Sequence, residues 1–221
     1  WNADVNNNGD IKCYRKGKEV VIAGNGSGKI KANPDSSSMF KSIGSSNDTM
    51  ALRAIENLTL LDTSEVTNMG WMFAGCEKLA SLDLSEMDTS NVKTMQYMFL
   101  YCYNLKSLDL SNFNTSNVAN MYGMFDGCST LASLNISSFN TEKVTEMSWM
   151  FSDCESLVNL DLSSLSTSNV TNMSYMFKAC RKLAKLDLSS FNTSKVTDMS
   201  MMFSSCESLT ELNIQSFDTG N

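Results

Sequence analysis

Residues 102–125 read CYNLKSLDLSNFNTSNVANMYGMF, and the same pattern returns at 180–203 as CRKLAKLDLSSFNTSKVTDMSMMF. The cysteine opening each stretch recurs at Cys76, Cys102, Cys128, Cys154, Cys180 and Cys206, always 26 residues from the last and without an insertion. An internal period of this size marks a solenoid or an array.

Two shorter periodicities lie inside the unit. Leu82-Asp83-Leu84 alternates apolar and polar, as a strand with one buried face does. Val92, Met95, Met98, Phe99 and Cys102 fall at spacings that share one side of a short helix, facing inward. Between them Asp88-Thr89-Ser90 supplies side-chain oxygens for a turn or a helix N-cap. The expectation is an α/β repeat solenoid: one short parallel strand and one short helix per 26 residues. Leu82/Leu84, Leu108/Leu110, Leu134/Ile136, Leu160/Leu162, Leu186/Leu188 and Leu212/Ile214 should point inward from one parallel sheet, with Phe99, Phe125, Phe151, Phe177 and Phe203 opposite.

The two quoted stretches resemble the 26-residue-repeat bacterial surface proteins, a branch of the BspA-type leucine-rich-repeat family. The resemblance covers about Leu52 to Asn221. It implies right-handed leucine-rich-repeat-like coils on extracellular proteins, secreted or held at the cell surface, many of them regarded as adhesins. It implies no shared ligand.

Upstream the pattern loosens. Ser38-Met39-Phe40 resembles the end of a unit, and Leu52, Ile55, Leu58, Leu61, Asp62, Thr63, Val66 and Met69 resemble the next with residues inserted. Ile11 to Tyr14 and Val20 to Ala23 flank Arg15-Lys16-Gly17-Lys18 and read as a β-hairpin. A solenoid end needs a cover for its strand edge and core. Residues 1–50 are therefore expected to form an N-terminal β cap, and 51–221 the solenoid. Within the solenoid, 51–75 are an atypical first coil and 76–221 the regular repeats, cut off at the C-terminus partway through a unit. The chain opens on Trp1, without a start methionine or signal peptide, and reads as a fragment of something longer.

Composition excludes several functions. With 17 basic and 24 acidic residues the net charge is −7, which offers no dense positive surface for nucleic acid. The chain has no histidine, hence no usual neutral-pH general base and few routes to catalytic zinc. No stretch approaches the roughly 20 apolar residues that cross a bilayer, so membrane insertion is not expected. No acid, base, nucleophile or metal site converges, so neither catalysis nor a cofactor is expected.

Some motifs invite sharper readings. Ala23-Gly24-Asn25-Gly26-Ser27-Gly28-Lys29 nearly spells a phosphate loop, but Ile30 stands where Ser or Thr would hold magnesium. Asp4, Asn6, Asn8, Gly9 and Asp10 match half a calcium loop, whose twelfth position is Arg15 instead of a carboxylate. The six repeat cysteines are read as buried reduced thiols, since stacked Cβ vectors run parallel instead of converging; the pairing of Cys13 is left open. The methionines are read as packing. Asp83, Asp109, Asn135, Asp161, Asp187 and Asn213 form an outward strand column whose repulsion neighbouring hydroxyls and amides should absorb. The threonine column from Thr63 to Thr219 is read as completing turns.

Recognition is expected where exposed columns vary from coil to coil. Leu100, Asp126, Ser152, Lys178 and Ser204 form one such column. Tyr101, Gly127, Asp153, Ala179 and Ser205 form the next, and Tyr103, Ser129, Glu155, Arg181 and Glu207 a third. An aromatic column holds Trp71, Tyr97, Trp149 and Tyr175, interrupted by Gly123 and Met201. Tyr97, Leu100, Tyr101, Tyr103 and Tyr122 concentrate in adjacent coils and form the preferred patch, because aromatics supply contact area at low entropic cost. The expected function is non-catalytic surface binding or adhesion, directed at a protein or glycan of a host or neighbouring cell. The alternative is an architectural spacer with no ligand of its own.

Overall fold

The computed structural model describes residues 12–16, 19–23, 29–43 and 53–218. Strands β1 (Lys12–Lys16) and β2 (Glu19–Ala23) pair antiparallel as the expected hairpin. Strand β3 (Ile30–Lys31) follows, then β4 (Ala54–Glu56) and β5 (Leu61–Asp62). β2 pairs with β4 and β3 with β5, both in parallel, so the hairpin is bonded directly to the first coil.

In the repeats, β6 (Ser107–Asp109) pairs in parallel with β7 (Ser133–Asn135), and β8 (Lys185–Asp187) with β9 (Glu211–Asn213). Leu108 faces Leu134, one period along, as the alternation requires. The single sheet expected across all coils is absent: 81–83 and 159–161 are in no strand. Three-residue strands offer few ladder bonds, and coil-to-coil continuity is held elsewhere. A column of parallel bridges runs unbroken through Asp35, Asn68, Thr94, Asn120, Glu146, Asn172 and Asp198. It begins, like the phenylalanine stack, inside the stretch assigned to the cap.

The expected helix is also absent. Among the described residues the only helical element is a 3-10 turn at Leu58–Leu60. Residues 95–102 instead form successive turns: the Met98, Leu100 and Cys102 N–H groups donate to Met95, Tyr97 and Phe99 carbonyls at 3.2 Å. The alternate N–H groups of Met95, Tyr97, Phe99 and Tyr101 donate to Asn120, Tyr122, Met124 and Asp126 carbonyls of the next coil, at 2.8–3.0 Å. Tyr97 and Tyr101 have positive φ, 55° and 58°, as type II turns demand at their third residue. An isolated helix of one or two turns is marginal, and left-handed residues interrupt it, so the amides bond along the stack instead.

The inward columns are nevertheless those expected. Val92, Met95, Met98, Phe99 and Cys102 are completely buried. The Phe73, Phe99, Phe125 and Phe151 rings stack at 5.6 Å, within 7° of parallel, and the stack extends to Phe40 and Phe203. The strand leucines are buried or half-buried through Leu188. Leu212 and Ile214, covered by a coil on one side only, are 38% and 41% exposed.

The six repeat cysteines carry no disulfide, and each thiol of Cys76 through Cys206 donates to a phenylalanine carbonyl of the preceding coil, as from Cys128 Sγ to Phe99 O at 3.2 Å. Burial pushes the Cys154 thiol well above its ordinary pKa. The threonine column does more than complete turns. Thr115 Oγ1 donates to Asn140 O and accepts from Asn140 N–H, both at 2.8 Å, lacing one coil to the next. Thr89 and Thr167 do the same with Asn114 and Asn192. Among the described residues no helix is long and apolar enough to cross a membrane.

Candidate functional site

Each coil has two left-handed positions, and they organise the variable edge. The first holds Trp71, Tyr97, Gly123, Trp149, Tyr175 and Met201. The second holds Gly75, Tyr101, Gly127, Asp153, Ala179 and Ser205. Glycine adopts this backbone at no steric cost, whereas other residues lose about 1–2 kcal/mol there. The run MYGMFDGC at 121–128, with Gly123 and Gly127 at both left-handed places, was the sequence signal against a helix.

The aromatics at the first position lie ring against ring along the stack. Trp71 and Tyr97 sit with centroids 4.2 Å apart, and Tyr122 meets Tyr97 edge-on at 4.7 Å. Trp149 and Tyr175 stack at 4.2 Å, 17° from parallel. All five are half-buried. Glycines make the room: a Cβ on Gly123 would lie 2.7 Å from the Tyr97 ring, and one on Gly127 2.5 Å from the Tyr101 ring. Burial, then a hydrogen bond with Tyr122, push the Tyr97 phenol above its ordinary pKa.

Tyr101 and Tyr103 differ from the rest. They are 45% and 38% exposed, with ring centroids 5.6 Å apart and planes 24° from parallel. Leu100, expected in the same patch, is only 6% exposed and belongs to the packing. Its column is withdrawn from solvent further along too, since Asp126 is 8% and Ser152 0% exposed. The backbone there turns inward between the two left-handed positions.

Two lysines lie on the aromatic column. Lys41 Nζ is 4.3 Å from the Trp71 ring centroid, and Lys178 Nζ is 5.1 Å from that of Trp149. Lys178 also pairs with Asp153 Oδ2 at 3.6 Å, and Ser152 Oγ donates to the same oxygen at 2.7 Å. Burial and the neighbouring Asp153 carboxylate push the Asp126 carboxyl up to about 6, against opposing help from Ser152 and Lys178.

The strand face is uniform by comparison. Asp83 Oδ1 accepts from Ser85 N–H at 3.1 Å and from its hydroxyl at 2.7 Å. Asp109, Asp161 and Asp187 accept from the N–H two residues on. These bonds hold all four carboxyls below their ordinary pKa. Beside β7, Leu134, Asn135, Ile136, Asp161 and Ser163 line a shallow cleft of about 180 Å³. Among the described residues no cluster of three or more His, Cys, Asp or Glu side chains could hold a metal ion. The half calcium loop at Asp4 to Asp10, the Gly24 to Gly28 loop, Leu52, Thr219 and the Cys13 side chain lie outside the described residues.

A family model described as "Mycoplasma protein of unknown function, DUF285" matches residues 34–157 and again 124–221. No curated protein matches the chain.

Proposed function

We propose that this chain, which belongs to the DUF285 repeat family over nearly all of its described length, is a non-catalytic binding module that recognises a protein or glycan through the exposed edge of its coils. In the finer form of this reading the coils are right-handed and akin to BspA-type leucine-rich repeats. The setting is then extracellular, at a cell surface or secreted, and the role adhesive. The observation that carries the proposal is the contrast between two surfaces of one stack. The strand face repeats the same Asx residues, hydrogen-bonded locally, from coil to coil. The edge changes at every coil and presents Tyr101 and Tyr103 at 45% and 38% exposure. Exposed aromatics at a variable position suit complementarity to a partner.

The test is capture on arrays of matrix proteins and glycans by the intact chain and by a Tyr101→Ser/Tyr103→Ser variant. Reproducible capture, lost in the variant while circular dichroism is unchanged, is the expected result. Capture of nothing, by either protein, would overturn the proposal in favour of an architectural spacer. One observation favours that second reading: Trp71, Tyr97, Trp149 and Tyr175 spend much of their surface on one another and on lysines of the same chain.

A further inference from the structure

Resting on the binding role proposed above, we infer that the Tyr101–Tyr103 pair is the seat of an arginine or lysine side chain carried by a basic segment of a protein partner. The chain supplies the template itself. Lys178 places its ammonium over the Trp149 ring at 5.1 Å and against Asp153 at 3.6 Å, so ring and carboxylate share one cation. Lys41, which likewise directly follows the stacked phenylalanine of its coil, puts its ammonium 4.3 Å from the Trp71 centroid. In the coil of Tyr101 and Tyr103 that position is Leu100, which is buried, and in the next coil it is Asp126.

The two exposed rings lie beside the lysine-bearing column, Tyr101 at the second left-handed position and Tyr103 two residues on, in coils where Leu100 and Asp126 stand in place of a lysine. Burial first, then Tyr101 and the Glu77, Asp126 and Asp153 carboxyl groups, push the Tyr103 phenol above its ordinary pKa. Tyr101 is anchored to this acidic region by its N–H donating to Asp126 O at 2.8 Å, and its ring lies over the bare Cα of Gly127. Asp153 occupies the following place in the same column. An aromatic face beside carboxylates attracts a cation through the ring quadrupole and the charge together, and guanidinium, planar and weakly hydrated, fits a ring pair best. The net charge of −7 favours approach of a basic partner.

The experiment titrates the intact chain with a fluorescein-labelled peptide of eight residues alternating arginine and glycine, and with its glutamate counterpart. Binding is read by anisotropy at low and physiological salt. The arginine peptide should bind and the glutamate peptide should not. Tyr101→Ser/Tyr103→Ser, which leaves the net charge unchanged, should weaken the arginine peptide about tenfold. Tyr101→Phe/Tyr103→Phe should restore it, because the ring is retained. Asp153→Asn should weaken it severalfold, whereas Asp109→Asn on the strand face, removing the same charge, should leave it within twofold. Tyr103→Ser alone repeats the test without disturbing the ring over Gly127. Equal losses from Asp153→Asn and Asp109→Asn, with tyrosine variants unaffected, would reduce the attraction to overall charge and overturn the inference. Failure of the arginine peptide, while a neutral glycan or peptide still depends on Tyr101 and Tyr103, would overturn the cationic partner and leave the binding role standing. Failure of every probe at this edge would overturn both.

Discussion

Thr94 stands in the bridge column where the six other residues carry a longer side chain with an acceptor oxygen, as Asp35 does for Ser37 N–H at 3.1 Å. There Asn68 and Asn120 accept from Gly70 and Tyr122 N–H at 2.9 Å. Glu146, Asn172 and Asp198 accept from Ser148, Ser174 and Ser200 N–H at 2.8–2.9 Å. Thr94 Oγ1, by contrast, is buried with no partner. Thr94→Asn should close the missing turn onto Gln96 N–H. A new hydrogen bond contributes about 0.5–1.5 kcal/mol and removal of an orphaned buried hydroxyl about 1–3 kcal/mol, so a net gain of about 2 kcal/mol is expected. For a chain of this size that is roughly 4–8 °C in Tm. The reciprocal Asn120→Thr should lose about 1–2 kcal/mol, because it breaks the Tyr122 turn and the 3.2 Å bond from Asn120 Nδ2 to Gln96 Oε1. Urea and thermal unfolding followed by circular dichroism measure both, with an unchanged m-value showing that the unfolded state is the same. A neutral or destabilising Thr94→Asn, or a costless Asn120→Thr, would refute the view that these side chains hold the turns.

Further expectations follow from the same ladders. Phe125→Ala, opening a hole in a continuous ring stack, should cost about 3–5 kcal/mol, and hydrogen exchange should show the loss spreading into adjoining coils. Thiol-reactive dye should label Cys102 to Cys180 only after unfolding and Cys206, half-buried, slowly in the native state; reductant should leave Tm unmoved, and fast native labelling of Cys128 would refute the arrangement. Asp126 holds its proton to higher pH folded than unfolded, so its contribution to stability is full below the ordinary carboxylate pKa and is lost as pH rises through about 6. From the ordinary value of 3.8 to about 6 corresponds to about 3 kcal/mol. Asp126→Asn should therefore stabilise the chain at pH 8 by up to that amount, an advantage that shrinks as pH falls towards 5. Asp83, Asp109, Asp161 and Asp187 act oppositely, their stabilisation being lost as pH falls through their lowered values.

The 26-residue period and the identity of the core columns were legible in the sequence by itself, because burial forces the same residue type to return at the same place in every coil. That is why Phe99, Met95, Val92 and Cys102 were assigned inward correctly, and why parallel thiols argued against disulfides. The hairpin was legible for a similar local reason, two apolar runs around a polar turn. Whether Val92 to Cys102 forms a helix was not. Side chains three and four residues apart face one way in a helix and in successive turns alike. The choice is made by amides of Tyr97 and Tyr101 bonding to carbonyls 25 residues away. Thr115 bonding to Asn140, and Lys178 lying over Trp149, belong to the same class of contact, formed only when coils stack. The candidate site divides along the same line. Sequence variation named the edge and its tyrosines. Only the tertiary structure buried Leu100, spent Trp71, Tyr97, Trp149 and Tyr175 largely on one another, and left Tyr101 and Tyr103 open, because exposure in a solenoid is decided by the neighbouring coil.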